Sequence, residues 1–287
     1  MISNTRASTT RYDRNVTSES RQTSAATAAT VEGNHIDGSS GRMSKIVLIT
    51  GGNRGLGFSA AKALALTGAT VVIGARGEAA ARKAVDALEE SGLTADWVEL
   101  DVTRPASARA AAEIIRERYR RLDVLINNAG ILPEATDTVE HEFADTDIFR
   151  QTFETNTFGS VTVTEIFLPL LRRSAAGRIV NVSSTMGSLT DQNNPLSPYY
   201  SMLLPAYRSS KAALNSIAVE LAKSLKDTPI KVTSVCPGFV QTDLTPISRQ
   251  QAPLTADEAA QIVVTAATLP ADAESGTFID ANGPVAW

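Results

Sequence analysis

Short apolar runs alternate with longer segments of helical periodicity from residue 45 to the end of the chain. Runs of about five residues rich in Val, Ile and Leu are typical of strands buried on both faces of a sheet. The pattern predicts about seven such strands, at 45–50, 70–74, 96–100, 123–127, 178–182, 230–236 and 277–280. It predicts helices up to 67 and at 78–91, 106–121, 148–173, 206–225 and 257–268. Strands that alternate with helices form a parallel sheet covered on both faces, so we expect a doubly wound α/β fold.

Residues 1–42 follow neither pattern. They are rich in Ser, Thr, Ala and Asn and carry scattered Arg, a composition typical of disordered segments. We therefore expect a disordered N-terminal extension at 1–42 and a single folded domain at 43–287. The alternatives are an over-long start, since Met43 leads directly into the first strand, and a targeting segment. Four acidic residues within 1–42 weigh against an organelle transit peptide.

The charge balance and the residue counts disfavour several classes of protein. The chain has 287 residues with 27 basic and 31 acidic side chains, a net charge of −4, whereas nucleic-acid binders usually carry a basic excess. No apolar run reaches the roughly 18 residues that a membrane-spanning helix needs. With Cys236 as its only cysteine and two histidines, the chain offers no intrachain disulfide, and a zinc site or a Ser-His-Asp triad is disfavoured. We expect a cytoplasmic protein without nucleic-acid, membrane or metal partners.

Glycines follow the first predicted strand and open the first helix. Gly51, Gly55 and Gly57 have the spacing Gly-x-x-x-Gly-x-Gly. Glycine permits a tight turn and lets the backbone approach a pyrophosphate, whose charge a helix N-terminus stabilises. The position of these glycines in an α/β pattern favours nucleotide binding over a purely structural turn.

Tyr207 and Lys211 lie four residues apart in the predicted helix 206–225, so their side chains share one helical face. A phenol has a reference pKa near 10, too high for easy proton exchange at neutral pH. A cation roughly 5 Å away favours the phenolate by roughly 3 kcal/mol at an effective dielectric constant of about 20, or about two pKa units. The pair is therefore a candidate general acid/base. A surface tyrosine beside a solvated lysine is the alternative.

These two motifs belong to a larger set whose order and spacing resemble the short-chain dehydrogenase/reductase family over residues 45–287. The set comprises 50–57, 127–130 (Asn-Asn-Ala-Gly), Asn156, Ser183 and Ser184, Tyr207 with Lys211, and 237–242 (Pro-Gly-Phe-Val-Gln-Thr). The resemblance implies a Rossmann-type fold and an oxidoreductase that transfers a hydride between a nicotinamide and a carbonyl carbon. The segments 52–55 and 75–76 are similar to those of carbonyl reductases in the family.

The resemblance implies a catalytic set of Asn156, Ser184, Tyr207 and Lys211. Tyr207 would donate a proton to the carbonyl oxygen, while Lys211 would lower the pKa of the phenol and bind the nicotinamide ribose. Ser184 would hydrogen-bond the substrate oxygen, and Ser183 is the alternative, since neighbouring strand residues point oppositely. Asn156 would hold a water that links Lys211 to solvent, through a local distortion of its helix. A cap at a helix break is the alternative role for Asn156.

The cofactor that the resemblance implies is NADP(H). An acidic residue at the end of the second strand usually holds the adenosine ribose in NAD-binding proteins, but 71–76 contains none. Arg76 suits a 2′-phosphate and Arg54 adds a second cation, unless both are merely solvated. The implied cofactor-binding residues are Gly51, Asn53, Arg54, Gly55, Leu56, Gly57, Arg76, Asp101, Val102, Asn128, Ala129, Gly130, Tyr207, Lys211, Pro237, Gly238, Val240 and Thr242. Helix capping is the alternative role for Asp101 and Thr242.

The interval between Ser184 and Tyr207, which we call the insert, spans 23 residues and is longer than is typical of the family. Prolines and asparagines in it predict a loop. We expect its Tyr199, Tyr200 and apolar tail (202–205) to form a wall of the substrate pocket. Alternatively, the insert covers exposed core or blocks an oligomer interface. We expect the polar segment 243–253 to cover the pocket from another side, and we call it the second lid, the insert being the first.

We expect an NADPH-dependent oxidoreductase that reduces a ketone, aldehyde or quinone, with an apolar or aromatic small-molecule substrate because of the loop composition. One alternative is a ketoreductase of carrier-bound acyl chains, which would need a basic patch at the pocket mouth, where Arg249 is the only obvious candidate. The other is a non-catalytic NADP(H) sensor, although such proteins usually lack the tyrosine or the lysine. A homo-oligomer could form through the helices that bear Asn156 and Tyr207, whereas the insert could leave a monomer.

Overall fold

Eight strands form a single sheet in the part of the chain that the structure, a computed structural model, describes: residues 44–287. The strands are β1 (Ile46–Thr50), β2 (Thr70–Ala75), β3 (Ala95–Glu99), β4 (Val124–Asn127), β5 (Arg178–Val182), β6 (Lys231–Val235), β7 (Thr277–Asp280) and β8 (Gly283–Pro284). Their order is β3-β2-β1-β4-β5-β6-β7-β8. Every neighbouring pair is parallel except β7 with β8. The predicted extension at 1–42 lies outside the described residues.

Helices cover both faces of the sheet. They are α1 (Gly55–Ala65), α2 (Glu78–Glu89), α3 (Pro105–Tyr119), α4 (Thr146–Phe153), α5 (Gly159–Leu171), α6 (Leu189–Gln192), α7 (Pro205–Ser224), α8 (Pro246–Gln251) and α9 (Ala256–Ala267). In residues 44–287 no helix is long and apolar enough to cross a membrane. The predicted doubly wound, parallel α/β fold is confirmed.

The alternation of side chains along β1 divides the core into two layers. Val47 and Ile49 pack with residues of α1, α2 and α9, whereas Ile46 and Leu48 pack with residues of α3, α5 and α7. All five residues of β1 are buried. A continuous apolar run, rather than a strict apolar/polar alternation, is therefore what this central strand requires.

The structure corrects the sequence pattern where elements are short or irregular. The predicted helix 148–173 is three elements: α4, a five-residue π-helical turn at Glu154–Phe158, and α5. Four other elements were not predicted, namely β8, α6 and the 3₁₀ turns Pro133–Thr136 and Thr185–Gly187. The segment 243–253 was predicted as a loop but contains α8, which a capping box of Thr245 and Ser248 begins.

Asp123 joins three segments at the amino ends of the strands. Its carboxylate accepts hydrogen bonds from the Ile46 N–H (2.9 Å), the Ser174 hydroxyl (2.6 Å) and Arg121 Nε (2.9 Å). The group is buried, and a buried carboxylate is tolerated only when its oxygens are hydrogen-bonded in this way.

Arg178 joins further segments at the same edge of the sheet. Its guanidinium donates to the carbonyls of Gly177 (2.7 Å), Pro229 (3.4 Å), Leu269 (2.7 and 3.0 Å) and Pro270 (3.0 Å). Burial lowers the pKa of this guanidinium. Five backbone hydrogen bonds, rather than a carboxylate, thus compensate the cation and fix the end of α9 beside the starts of β5 and β6.

Asp123→Ala should lower the free energy of unfolding by about 3 kcal/mol, because Ile46 loses a buried acceptor and Arg121 a buried counter-charge. Urea denaturation would measure this loss. The matched control is Glu220→Ala, whose ion pair with Lys223 is exposed and should contribute less than about 0.5 kcal/mol. Equal losses in the two variants would contradict the role of Asp123.

Candidate active site

A cavity of about 640 Å³ opens at the carboxyl ends of the strands, where β1 lies between β2 and β4. Open parallel sheets bind ligands at such a point because the connections to neighbouring strands diverge there. The volume is typical of cofactor and small-molecule sites. The predicted site residues that line the cavity are Gly51, Asn53, Arg54, Gly55, Leu56, Gly57, Arg76, Asp101, Val102, Asn128, Ala129, Gly130, Ser184, Tyr207, Lys211, Pro237, Gly238, Val240 and Thr242. Asn156 is fully buried and does not line it.

The glycine turn after β1 forms a cradle that larger residues do not fit. Gly51 and Gly55 have φ angles of 63° and 52°, in the left-handed region that favours glycine. At Gly57 an added Cβ would lie only 2.5 Å from Asn128 Nδ2 and from the carbonyl oxygen of Gly51. Arg54, in the cap position of α1, gives no side-chain hydrogen bond to the first turn. The amides of that turn are therefore available to a phosphate.

Thr50 and Asn128 hold the glycine turn against the loop after β4. The Thr50 hydroxyl accepts hydrogen bonds from the N–H groups of Asn128 and Ala129, both at 3.0 Å, and donates to the carbonyl of Ile126 at 3.3 Å. In return, Asn128 Nδ2 donates to the carbonyls of Thr50 (2.9 Å) and Gly51 (3.2 Å). Five hydrogen bonds thus hold Thr50 and the glycine turn to the end of β4 and the loop that follows it.

Two exposed cations, Arg54 and Arg76, line the cavity, and neither forms an ion pair with a described residue. Arg76 directly follows β2, whereas Arg54 also lines a smaller cavity with Leu132 and Leu244. β2 ends at Ala75, so no carboxylate occupies the position that would hold a ribose. Asp101 accepts from the N–H and hydroxyl of Thr103. The proposed capping role of Asp101 is wrong, because the cap position of α3 is Arg104.

Tyr207, Lys211 and Ser184 meet in the middle of the cavity. Lys211 Nζ lies 5.7 Å from the centre of the Tyr207 ring and donates to the carbonyl of Val182 at 2.8 Å. The Ser184 hydroxyl accepts a hydrogen bond from the Met186 N–H at 3.2 Å, and the Ser184 side chain lowers the pKa of the Tyr207 phenol. Ser183, by contrast, is buried, and its hydroxyl has no partner among the described residues. Of the two serines, Ser184 is thus the one that meets Tyr207.

Burial controls the protonation of this pair. It raises the pKa of the Tyr207 phenol, with the nearby Cys236 adding to the effect and the Ser184 side chain opposing it. It lowers the pKa of Lys211 to about 8. We expected the Tyr207 phenol beside Lys211 to have a lowered pKa, whereas burial raises that pKa, so the net direction is opposite to the prediction. Burial disfavours the charged forms of both groups.

Asn156 lies on the π-helical turn Glu154–Phe158, so the local distortion predicted for its helix is confirmed. Its Oδ1 accepts from the Ile131 N–H (2.8 Å), and its Nδ2 donates to the Ile131 carbonyl (3.0 Å) and to Ser210 Oγ (3.2 Å). The side chain therefore bonds other segments instead of capping its own helix. An added Cβ on Gly130 would lie 3.4 Å from Asn156 Oδ1 and 3.7 Å from Lys211 Nζ, so glycine keeps the space beside both polar groups open.

Tyr199, Met202 and Leu204 of the insert line the cavity, as predicted. Tyr200, Leu203 and Pro205, which we also expected there, do not line it, and Tyr200 and Leu203 are 49% and 87% exposed. Arg208 ties the insert to α7 by donating to the carbonyl of Met202 at 2.7 Å.

The second lid, 243–253, adds Leu244 and Ile247 to the lining. A capping role for Thr242 in α8 is wrong, because Thr245 caps that helix. The sequence reading also missed Ile131, Leu132 and Met186, which line the cavity but carry no motif. The unpredicted Gly187 allows its 3₁₀ turn to pack on α7. A Cβ there would lie 2.7 Å from the Lys211 backbone.

Three known proteins are similar to most of the chain. Short-chain dehydrogenase anuI of Penicillium roqueforti is 41% identical over 231 residues, which cover 78% of this chain and 88% of that protein. The structure of salutaridine reductase from Papaver somniferum has a TM-score of 0.70 at 28% identity and covers 82% of this chain and 99% of its own. The NADPH-bound carbonyl reductase from chicken fatty liver has a TM-score of 0.71 at 28% identity and covers 86% and 100%.

The sequence pattern of the short chain dehydrogenase family matches residues 45–253. The matched range contains the glycine turn, the π-helical turn, Ser184, and Tyr207 with Lys211. This match and the relatives show that the chain belongs to the short-chain dehydrogenase family of oxidoreductases.

Proposed function

We propose that the chain is an NADPH-dependent reductase that converts a ketone, aldehyde or quinone to the corresponding alcohol, with Tyr207 as general acid. The observation that carries the proposal is the position of Tyr207 beside Lys211, whose Nζ lies 5.7 Å from the centre of the phenol ring, with Ser184 on the wall of the same cofactor-sized cavity. A proton donor next to a cation in a buried cleft suits the protonation of a carbonyl oxygen that becomes negatively charged.

The chain's own residues support NADP(H) as the cofactor. The cradle of Gly51, Gly55 and Gly57 has room for a pyrophosphate at the start of α1. Beyond it, Arg54 and Arg76 offer guanidinium groups to a 2′-phosphate, and no described carboxylate pairs with them. A 2′-hydroxyl, as in NAD(H), would lack an acidic partner at the end of β2.

In the proposed reaction the nicotinamide, when bound, supplies the hydride. Ser184 orients the substrate by a hydrogen bond to its carbonyl oxygen, and Tyr207 donates the phenolic proton to that oxygen. The Lys211 ammonium stabilises the phenolate that is left. Asn156 keeps the backbone of Ile131 in place, and the space beside Gly130 admits a water through which the proton is replaced from solvent.

The walls of the cavity support an apolar or aromatic substrate. The insert contributes Tyr199, Met202 and Leu204, and the second lid contributes Leu244 and Ile247. Apolar walls with a few polar groups at one point are typical of sites that bind uncharged molecules in a fixed orientation.

A ketoreductase of carrier-bound acyl chains has less support. Its basic patch would depend on Arg249, which is engaged by Asp243. A non-catalytic sensor is disfavoured because Tyr207, Lys211 and Ser184 are all present and line one cavity. A cytoplasmic location, a single domain at 43–287 and a homo-oligomer stay predictions from the sequence.

Tyr207→Phe should lower kcat by roughly 10²–10⁴-fold, because it removes the proton donor, while the Kd for NADPH changes little. NADPH oxidation across a panel of ketones, aldehydes and quinones measures turnover, and fluorescence titration measures Kd. Tyr200→Phe makes the same chemical change on a residue that does not line the cavity and should retain full activity. Substantial turnover by Tyr207→Phe would remove Tyr207 from the acid role.

Arg76→Asp should raise the Kd for NADPH by roughly tenfold or more and shift the preference towards NADH, because a carboxylate repels a 2′-phosphate and accepts from ribose hydroxyls. Parallel titrations with both cofactors test this. Arg109→Asp makes the same charge change on the exposed side of α3 and controls for long-range electrostatics. An unchanged Kd for NADPH in Arg76→Asp would place the phosphate site elsewhere.

For carbonyl reduction, kcat/KM should fall as the pH rises through about 8, because Lys211 then loses its proton in the free enzyme. Tyr207, whose pKa is raised, stays protonated over this range. A pH–rate profile would show the falling limb. Lys211→Arg stays charged and should lose that limb. A wild-type profile that is flat across pH 8 would contradict the assignment.

A further inference from the structure

Helix α7 begins without a cap of its own. Leu204, in the cap position, has an apolar side chain and gives no capping hydrogen bond. Pro205 has no N–H, and the Arg208 N–H bonds the Leu204 carbonyl at 2.9 Å. Two amides of the first turn, those of Ala206 and Tyr207, are thus left to find an acceptor elsewhere.

Glu134 supplies that acceptor from a distant part of the chain. Its Oε1 accepts from the Ala206 N–H and its Oε2 from the Tyr207 N–H, both at 2.8 Å. A carboxylate at a helix N-terminus also interacts favourably with the helix dipole. The other side-chain caps in the described helices come from the residue just before the helix, as Asp145 does for α4. The cap of α7 bridges 72 residues of sequence.

The segment that carries Glu134 is itself fixed to the opposite wall of the site. Asn156 bonds both the N–H and the carbonyl of Ile131, three residues before Glu134. The segment 131–134 therefore connects the π-helical turn to the residue whose phenol faces the cavity. The π-helical turn also bonds α7 directly, because Asn156 Nδ2 and the Thr157 hydroxyl donate to Ser210 at 3.2 and 3.1 Å. The 131–134 segment adds a second connection, at the first turn of α7.

We propose that Glu134 is a positioning residue for the reaction, acting through the first turn of α7. By holding the backbone amide of Tyr207, it sets the phenol in register with Ser184 and Lys211. This inference rests on the proposed function, since it concerns the geometry of the same proton transfer. Displacement of a reacting group by about 1 Å costs up to a hundredfold in rate, so a cap at this place affects chemistry as well as stability.

The test compares Glu134→Ala and Glu134→Gln with Glu258→Ala. Glu258 accepts two hydrogen bonds from Thr255 at the start of α9, away from the cavity, and its loss controls for a weakened cap. Glu134→Ala should lower kcat by roughly ten- to a hundredfold, with KM and the Kd for NADPH within about twofold. Glu134→Gln should be intermediate, because its amide oxygen still accepts one N–H. Glu258→Ala should lower the melting temperature but leave kcat unchanged.

Amide hydrogen exchange gives a readout that needs no turnover. The peptide 205–214 should exchange faster in Glu134→Ala than in the wild type or in Glu258→Ala. A kcat within twofold of wild type in Glu134→Ala, with only a lowered melting temperature, would reduce Glu134 to a structural cap and overturn the inference. Should Glu134→Ala fail to fold, Glu134→Gln and Glu134→Asp decide in the same way.

Failure of the proposed function would look different. A wild-type enzyme that binds NADPH but reduces no carbonyl on the panel contradicts the reductase itself. In that case, unchanged amide exchange of the peptide 205–214 in Glu134→Ala also overturns the inference about Glu134. Faster amide exchange confined to that peptide supports the inference that Glu134 positions the first turn of α7.

Discussion

The hydroxyl of Thr50 is the contact on which the rest of the site depends. It accepts from two successive amides of the loop after β4, while Asn128 donates back to the turn after β1. These hydrogen bonds join the turn after β1 to the loop after β4 at the carboxyl ends of the strands, where the cofactor cradle lies. The same loop continues through Gly130, beside Lys211, to the backbone of Ile131, which Asn156 holds. The hydrogen bonds between these two strand ends therefore join the glycine turn to the loop that passes Lys211 and reaches the π-helical turn.

The two ends of the sheet treat buried charge differently. At the amino end, Asp123 accepts hydrogen bonds from three residues and Arg178 donates five, so these charges are compensated. At the carboxyl end, Lys211 has one carbonyl partner, and burial disfavours its charge. The Ser183 hydroxyl has no partner among the described residues. Buried polar groups with few hydrogen-bond partners are expected where those groups bind a ligand as well as stabilise the fold.

The sequence predicted the elements that depend on local pattern. The runs at 178–182 and 277–280 agree with β5 and β7 residue for residue, because apolar runs between turn residues define their ends. Elements of two to six residues, such as β8 and α8, are too short to show a period. The grouping of the site residues followed from their motifs, but two features did not. The pKa of Tyr207 depends on burial, and the contact of Glu134 with α7 joins segments 72 residues apart. Neither feature can be predicted from the spacing of neighbouring residues in the sequence.

The two sides of the cavity differ in how readily their residues can be substituted. The half built on β1 and β4 consists of backbone, glycines and buried polar groups, where even a methyl group at Gly57 would collide with Asn128. The opposite half comes from the insert and the α8 segment, whose Met202, Leu244 and Ile247 are partly solvent-exposed and lie outside the sheet. Substitutions there leave the sheet and its hydrogen bonds intact. Substitutions in these two segments therefore change the shape of the cavity without touching the glycine turn, which makes the segments suitable targets for redesign.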